Sequence, residues 1–301
     1  MRTVRVAVPR KGRPLEAVLE RVADRADATA LADDVISTLQ YEKAVTKGRQ
    51  SADAGVYDRL AEYSDHDDPR APEFTLLRDS RAGFPRRIVF DSLRVILNDV
   101  EVQLVGREEP FRALRKHEFA LGFDSADLVL EEVVELRPEP LTDLADVNER
   151  IDPRDTDVRL VSGLGDTVWH TLLATPSVRA DSDHSLTRAF VDAYRGPLCI
   201  SPRYERLVEA VLGTDALDGV EFVHPDNGRT EESAIAETGL GIYLTVTGST
   251  ARDHGLELGE QLFPSETVLL ENAREASDAT RAVTESLVGP SGETELAPAS
   301  R

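Results

Sequence analysis

The period of the apolar positions changes repeatedly along the chain, and each change predicts an element. Residues 4–8 (VRVAV) alternate with β-branched side chains and read as a buried strand. The turn PRKGRP at 9–14 follows, and Leu15, Val18, Leu19 and Val22 then recur at helical spacing. Strand, basic glycine turn and helix make a βα unit whose loop lies at the carboxyl end of the strand, where open α/β sheets collect ligands. Residues 100–105 predict another strand, Phe111, Leu114 and Arg115 a helix, 119–123 a short strand, 124–127 a turn and 128–134 a helix. Residues 163–175 read as one long apolar strand crossing from one lobe into another. Further elements are expected at 185–194 (helix), 198–201 (strand), 204–212 (helix), 220–223 (strand), 267–271 (strand) and 273–288 (helix). Two stretches carry no clear period. Residues 30–87, with the polar run YSDHDDPR at 63–70, read as a surface insertion with partial order, and the Pro- and Asp-rich 137–157 as a connection. Inside the first, Lys47-Gly48-Arg49 repeats the KGR triplet without an apolar strand before it and reads as a coincidence of composition.

The most informative change of pattern is at 239–256 (GLGIYLTVTGSTARDHGL), where a β-branched strand stops at Thr247-Gly248-Ser249-Thr250 and a short helix follows. Such a turn leaves backbone N–H groups free beside hydroxyl side chains, and glycine lets the backbone approach an anion. The same pattern also serves as an ordinary loop or helix cap.

Composition narrows the function classes. The formal net charge is −21, and only four of the 35 basic residues are lysine, at 11, 43, 47 and 116. Such a surface fits either a salt-rich cytoplasm or an ordinary acidic protein, and it argues against coating nucleic acid, which needs a basic face. Cys199 is the single cysteine, so an intrachain disulfide and a Cys-rich metal site are excluded, and it reads as a small buried hydrophobe. The histidines lack zinc-site spacing, and no nucleophile elbow stands out; Trp169-His170 reads as hinge packing. No apolar run reaches the ~20 residues of a membrane span, and MRTVRVAVPRKG runs into a strand without a signal-peptide core, so a cytoplasmic location is expected.

Several of these pieces occur together, and in order, in one family. VAVPRKGRPLEAVL at 6–19, VGREEP at 105–110, FALGFDSAD at 119–127, GLG at 163–165 with LLATP at 172–176, ISPRY at 200–204, and TGSTA at 247–251 with DHGL at 253–256 carry the likeness. In these the chain resembles the catalytic subunit of ATP phosphoribosyltransferase, the first enzyme of histidine biosynthesis, over most of residues 2–287. It departs at Tyr243, where the family keeps an acid, at Asp124-Ser125, where it keeps Thr-Gly, and at Ala251 and His254.

The resemblance implies an α/β fold of the two-lobed, periplasmic-binding-protein-like (type II) kind, with mixed sheets flanked by helices. Lobe I would hold residues 1–160 plus 253–288, with the insertion at about 30–87; lobe II would hold 161–252 and the phosphate loop; 289–301 would be a disordered tail. It implies transfer of phosphoribosyl from phosphoribosyl pyrophosphate to N1 of ATP, with Mg²⁺ on the pyrophosphate. Lys11 and Arg13 would act on the pyrophosphate and count as catalytic, with Gly12 between them. Arg107 would be a second cationic arm, unless Glu108 and Glu109 pair with it; Asp127 would bind substrate or cap the helix after it. Thr247, Gly248, Ser249 and Thr250 would hold the ribose 5′-phosphate. The departures leave two alternatives, a non-catalytic ligand-binding or regulatory paralogue and a transferase with another acceptor base. A homo-oligomer is implied, and the short stretch after the last strand implies a separate regulatory subunit or none.

Overall fold

A computed structural model of the chain describes residues 3–65, 67–78, 86–180, 185–226 and 229–288. His66, His184 and the tail 289–301 lie outside these residues. In chain order the elements are β1 (Thr3–Pro9), α1 (Arg13–Ala26), α2 (Thr29–Thr46), α3 (Val56–Tyr63), β2 (Glu73–Arg78), β3 (Arg86–Leu97), β4 (Val100–Arg107), α4 (Pro110–Arg115), β5 (Leu121–Ser125) and α5 (Ala126–Glu132). They continue as β6 (Val158–Gly163), β7 (Val168–Ala174), α6 (Pro176–Ala180), α7 (Arg188–Ala193), β8 (Gly196–Cys199) and α8 (Glu205–Leu212). The chain then runs through β9 (Val220–Val223), α9 (Glu231–Thr238), β10 (Leu240–Thr245), α10 (Ser249–Asp253), β11 (Glu257–Ser265), β12 (Thr267–Asn272) and α11 (Asp278–Val288). No helix among the described residues is long and apolar enough to cross a membrane.

The fold class is the expected one, α/β with two mixed sheets flanked by helices. The seven-stranded sheet has the order β2-β3-β4-β1-β5-β12-β6, and the five-stranded sheet β11-β7-β10-β8-β9. The described residues divide into two compact units, those within 3–124, 157–166 and 267–288 in one and those within 125–156 and 167–266 in the other. Residues 125–156, 161–166 and 253–266 therefore belong to the opposite unit from the one expected, because β11 pairs with β7 while β6 pairs with β12.

In unit 1, β1 lies parallel to both β4 and β5, so its carboxyl end and that of β4 sit side by side, with Pro9 opposite Arg107. Val6 and Val8 of β1 pack with Leu15, Val18 and Leu19 of α1 against Phe90, Leu104 and Phe123. Burial of this apolar set anchors the βα unit at ~25 cal/mol per Å² of surface removed from water. Gly12 caps α1 at φ 82°, a left-handed conformation that costs glycine little, and a proline stands in the first turn. Unit 2 has a smaller core around Leu173, Cys199, Ile235, Ala251 and Leu256.

In its described residues the stretch 30–87 is more than a loosely ordered insertion. It folds α2 and α3 and adds β2 and the start of β3 to the large sheet. The buried face of α2 contains Glu42 and Thr46 as well as Ala32 and Val35, so its polar residues conceal the helical period. Arg59 of α3 holds Glu42 in a bidentate pair at 2.7 and 2.8 Å, and the Tyr63 hydroxyl donates to Glu42 at 3.0 Å. The long crossing strand is also two strands, β6 and β7, which belong to different sheets; between them Gly165 turns the chain at φ 78°. Strand β11, unforeseen, is an edge strand with irregular register and Pro264 within it, and that pattern hides a strand period. The final helix starts at Asp278, five residues later than expected, after a turn in which Asn272 Oδ1 accepts from the Arg274 amide.

Candidate functional site

Two anion-directed elements are present, one in each unit. In unit 1 the turn after β1 presents Lys11 and Gly12 to a cavity of about 240 Å³ that is also lined by Lys43, Thr46, Lys47 and Arg87. Lys11 Nζ pairs with Glu108 Oε2 at 3.2 Å, an exposed contact. Lys47 of the second KGR triplet lines the same cavity as Lys11 of the first. No signal short of the tertiary fold could place Lys43 or Arg87 there.

Arg13 does not line this cavity. Its guanidinium donates to Asp166 Oδ2 at 3.0 Å, and Asp166 also accepts from the Thr267 amide at 2.8 Å and hydroxyl at 2.7 Å. A half-exposed arginine held by an anchored carboxylate has one fixed orientation with donors left over for a ligand. Asp166 was not expected as a site residue; its position after the GLG turn is the only sequence cue.

Arg107 is free of the carboxylates thought to neutralise it. Glu108 pairs with Lys11, and Glu109 with Arg112. The Arg107 guanidinium instead lies over the Phe119 ring at 4.9 Å, with Arg5 on the same ring at 5.0 Å, and donates to the Gly106 carbonyl at 3.0 Å. Cation–π contact fixes the direction of its guanidinium toward Phe119, just before β5.

In unit 2 the strand β10 ends in the TGST turn as expected. Gly248 stands at φ 68°, and a Cβ there would meet Leu258 Cδ2 at 2.1 Å. Among the described residues the amides of Gly248, Thr250 and Ala251 donate no hydrogen bond, while that of Ser249 reaches Thr247 Oγ1 at 3.4 Å. Thr247, Ser249 and Thr250 are exposed, and Arg252 Nη2 donates to the Thr247 carbonyl at 2.6 Å. Thr247 and the 77 % exposed Val246 open onto a cavity of about 560 Å³ lined also by Thr171, Thr245, Gly259, Glu260 and Gln261. Undonated amides and hydroxyls in a compact turn, with Thr247 at a cavity, suit a phosphate monoester.

Asp127 neither caps its helix nor reaches the TGST turn. Ser125 is the cap, accepting from the Asp127 amide, and Asp127 is buried, with Oδ1 on His170 Nε2 at 3.1 Å and Oδ2 accepting from the Ser265 hydroxyl at 3.0 Å. The chain in fact enters helix one residue before Asp127, so its side chain points into unit 2 as an internal tie. His170 thereby acquires a polar partner beyond packing, and its ring stands edge-on to Tyr204. Asp124 is turned inward too, and accepts from the Phe111 amide at 2.9 Å. Its negative charge is spent on capping α4.

Tyr243 carries a half-buried phenol in contact with α9. Burial pushes it up to about 12, and Glu231 and Glu232 add to the shift, Glu231 through a hydrogen bond. The position that departs from the family's acid thus has a carboxylate delivered beside it from a neighbouring helix. Burial likewise raises the Tyr204 phenol, with Asp127 adding to it, and raises the Cys199 thiol.

The chain matches the family described as halobacterial ATP phosphoribosyltransferase over residues 1–298. No curated protein matches it in sequence. Among solved structures it is similar to the ATP phosphoribosyl transferase (HisG:HisZ) complex from Thermotoga maritima, at 11% identity and TM-score 0.43, covering 95% of this chain and 96% of that one. It is also similar to the BvgS VFT2 domain from Bordetella pertussis, at 11% identity and TM-score 0.39, covering 96% of this chain and 88% of that one. With its family match spanning nearly its whole length, the chain belongs to the halobacterial ATP phosphoribosyltransferase family.

Proposed function

We propose that the protein transfers phosphoribosyl from phosphoribosyl pyrophosphate to N1 of ATP, the first step of histidine biosynthesis. The observation that supports this reading is the TGST turn, with three undonated amides at 248, 250 and 251, exposed hydroxyls at 247, 249 and 250, and Thr247 on the wall of a cavity. That turn holds the ribose 5′-phosphate. Lys11 and Arg13 take the pyrophosphate, and Arg107 stands as a further cation on the same sheet edge. In the reaction the N1–C1 bond forms as the C1–O bond to pyrophosphate breaks, and the leaving group departs with the electron pair. No protein nucleophile is needed. The chain contributes by fixing anions and neutralising the charge that grows on the leaving oxygen.

Mg²⁺ enters this reading as the counter-ion of the pyrophosphate. Among the described residues no group of three or more His, Cys, Asp or Glu side chains could hold it, so phosphate oxygens are its expected ligands. Glu231, brought to the Tyr243 hydroxyl by α9, supplies the carboxylate that the strand itself lacks. The reading extends to a cytoplasmic homo-oligomer that works with a separate regulatory subunit or alone, in concentrated salt.

Calorimetry in molar KCl with Mg²⁺ tests it, titrating phosphoribosyl pyrophosphate and then ATP. Saturable binding of both is expected, with phosphoribosyl pyrophosphate weakened at least tenfold in Thr247→Val. Binding of neither ligand, by folded protein, would overturn the reading. Binding without turnover would move the protein to the regulatory paralogue.

A further inference from the structure

Lysine is rare in this chain, four residues in 301, and three of the four line one cavity. Lys43 and Lys47 are one helical turn apart near the end of α2, and Lys11 comes from the turn after β1. Like charges at i and i+4 oppose helix formation, although the carboxyl end of a helix tolerates cations. Neither Lys43 nor Lys47 has an ion-pair partner among the described residues, and Arg87 on β3 has its Nε buried with no hydrogen-bond partner. Among the described residues four cations thus line one cavity, with one carboxylate, that of Glu108, paired to Lys11. Elsewhere this acidic chain relies on arginine.

A lysine ammonium is a compact charge with three rotatable donors, suited to a ligand that offers many oxygens in changing directions. A flat carboxylate would be better met by the arginine fork. In molar salt the screening length is about 3 Å, so distant charge adds little and an anion must be touched from several sides. Walls on α2, β3 and the β1 turn provide those sides.

We propose that this cavity is a condensed-phosphate site, in which Lys43, Lys47 and Arg87 complete with Lys11 the recognition of a pyrophosphate group or of the end of a triphosphate chain. Helix α2 then belongs to the binding machinery. The source of the phosphate rests on the transferase reading; the anion binding does not.

The test uses the whole protein in molar KCl, with inorganic pyrophosphate, inorganic tripolyphosphate and orthophosphate as probes. The variants are Lys43→Gln/Lys47→Gln and Arg87→Gln, with the exposed Lys116→Gln as control, and unchanged circular dichroism as the check on folding. Pyrophosphate and tripolyphosphate should bind the double variant and Arg87→Gln at least tenfold more weakly than wild type and Lys116→Gln, and orthophosphate should bind poorly to all. A selective rise in KM for phosphoribosyl pyrophosphate in the double variant identifies its pyrophosphate as the occupant, and a selective rise for ATP the triphosphate tail. Equal pyrophosphate affinity in wild type and folded double variant overturns the site, whatever the turnover. Loss of pyrophosphate binding in the variant of a protein without turnover leaves the site standing and removes the transferase reading.

Discussion

Gly248 holds the turn in a left-handed conformation, with Leu258 where a side chain would go. Gly248→Ala should therefore cost at least ~1–2 kcal/mol of stability from the backbone alone, more from the collision, and should abolish binding of a ribose 5-phosphate. Denaturant unfolding and calorimetry read the two effects; a variant as stable and as competent as wild type would contradict the role given to the turn. A second expectation concerns the phenols. Tyr63 and Tyr243 are both pushed up to about 12, above the ~10 of an unfolded chain, chiefly by burial. The folded state then keeps protons that the unfolded state has released, so the stability they contribute is intact below pH ~10 and is lost as pH rises toward 12. Absorbance at ~295 nm should show at least these two of the six tyrosines titrating late, with Tyr243→Phe removing one late component. Complete titration near pH 10 in the folded protein would refute it. At this scale the sequence shows what is local. KGR and TGST are contiguous and were readable, whereas Lys43, Lys47 and Arg87 converge only through tertiary folding. Asp127 resembled a helix cap because it precedes a helix pattern, and a boundary shift of two residues made it internal.

Helix α2 shows why an element can be hidden. Its core-facing side includes Glu42, neutralised by Arg59 of α3, so the binary pattern reads as polar where the structure is buried. Arg59→Ala leaves that carboxylate buried and unpaired, and should cost ~3–5 kcal/mol. Replacing both partners, Glu42→Leu with Arg59→Met, should recover most of the loss, as replacement of a buried pair by apolar groups of similar volume often does. Thermal unfolding of the three proteins decides it; a small loss for Arg59→Ala would show the pair to be peripheral. The readable elements were β1, α1, β4, β9 and α8, whose apolar residues follow a strand or helix spacing in the sequence. Strand β11 failed that test through its irregular register and its proline. The run 163–175 failed through its unbroken apolar character, which concealed the turn at Gly165 between β6 and β7.

For the whole molecule the dominant quantity is the net charge of −21. Self-repulsion of that size disfavours compact states when screening is weak, and the Debye length falls from ~10 Å at 0.1 M to ~3 Å at 1 M salt. The thermal midpoint should rise continuously with KCl over that range, and a flat or falling midpoint would contradict a salt-adapted surface. The family sets the expected chemistry, and the most direct test of it is turnover. Purified protein in molar KCl with Mg²⁺, phosphoribosyl pyrophosphate and ATP is followed by the ultraviolet absorbance of phosphoribosyl-ATP. The account predicts steady product formation that needs both substrates and falls at least a hundredfold in Lys11→Ala, about 2.7 kcal/mol of transition-state stabilisation. Folded protein that binds both substrates and forms no product, or a Lys11→Ala variant that turns over like wild type, would contradict it.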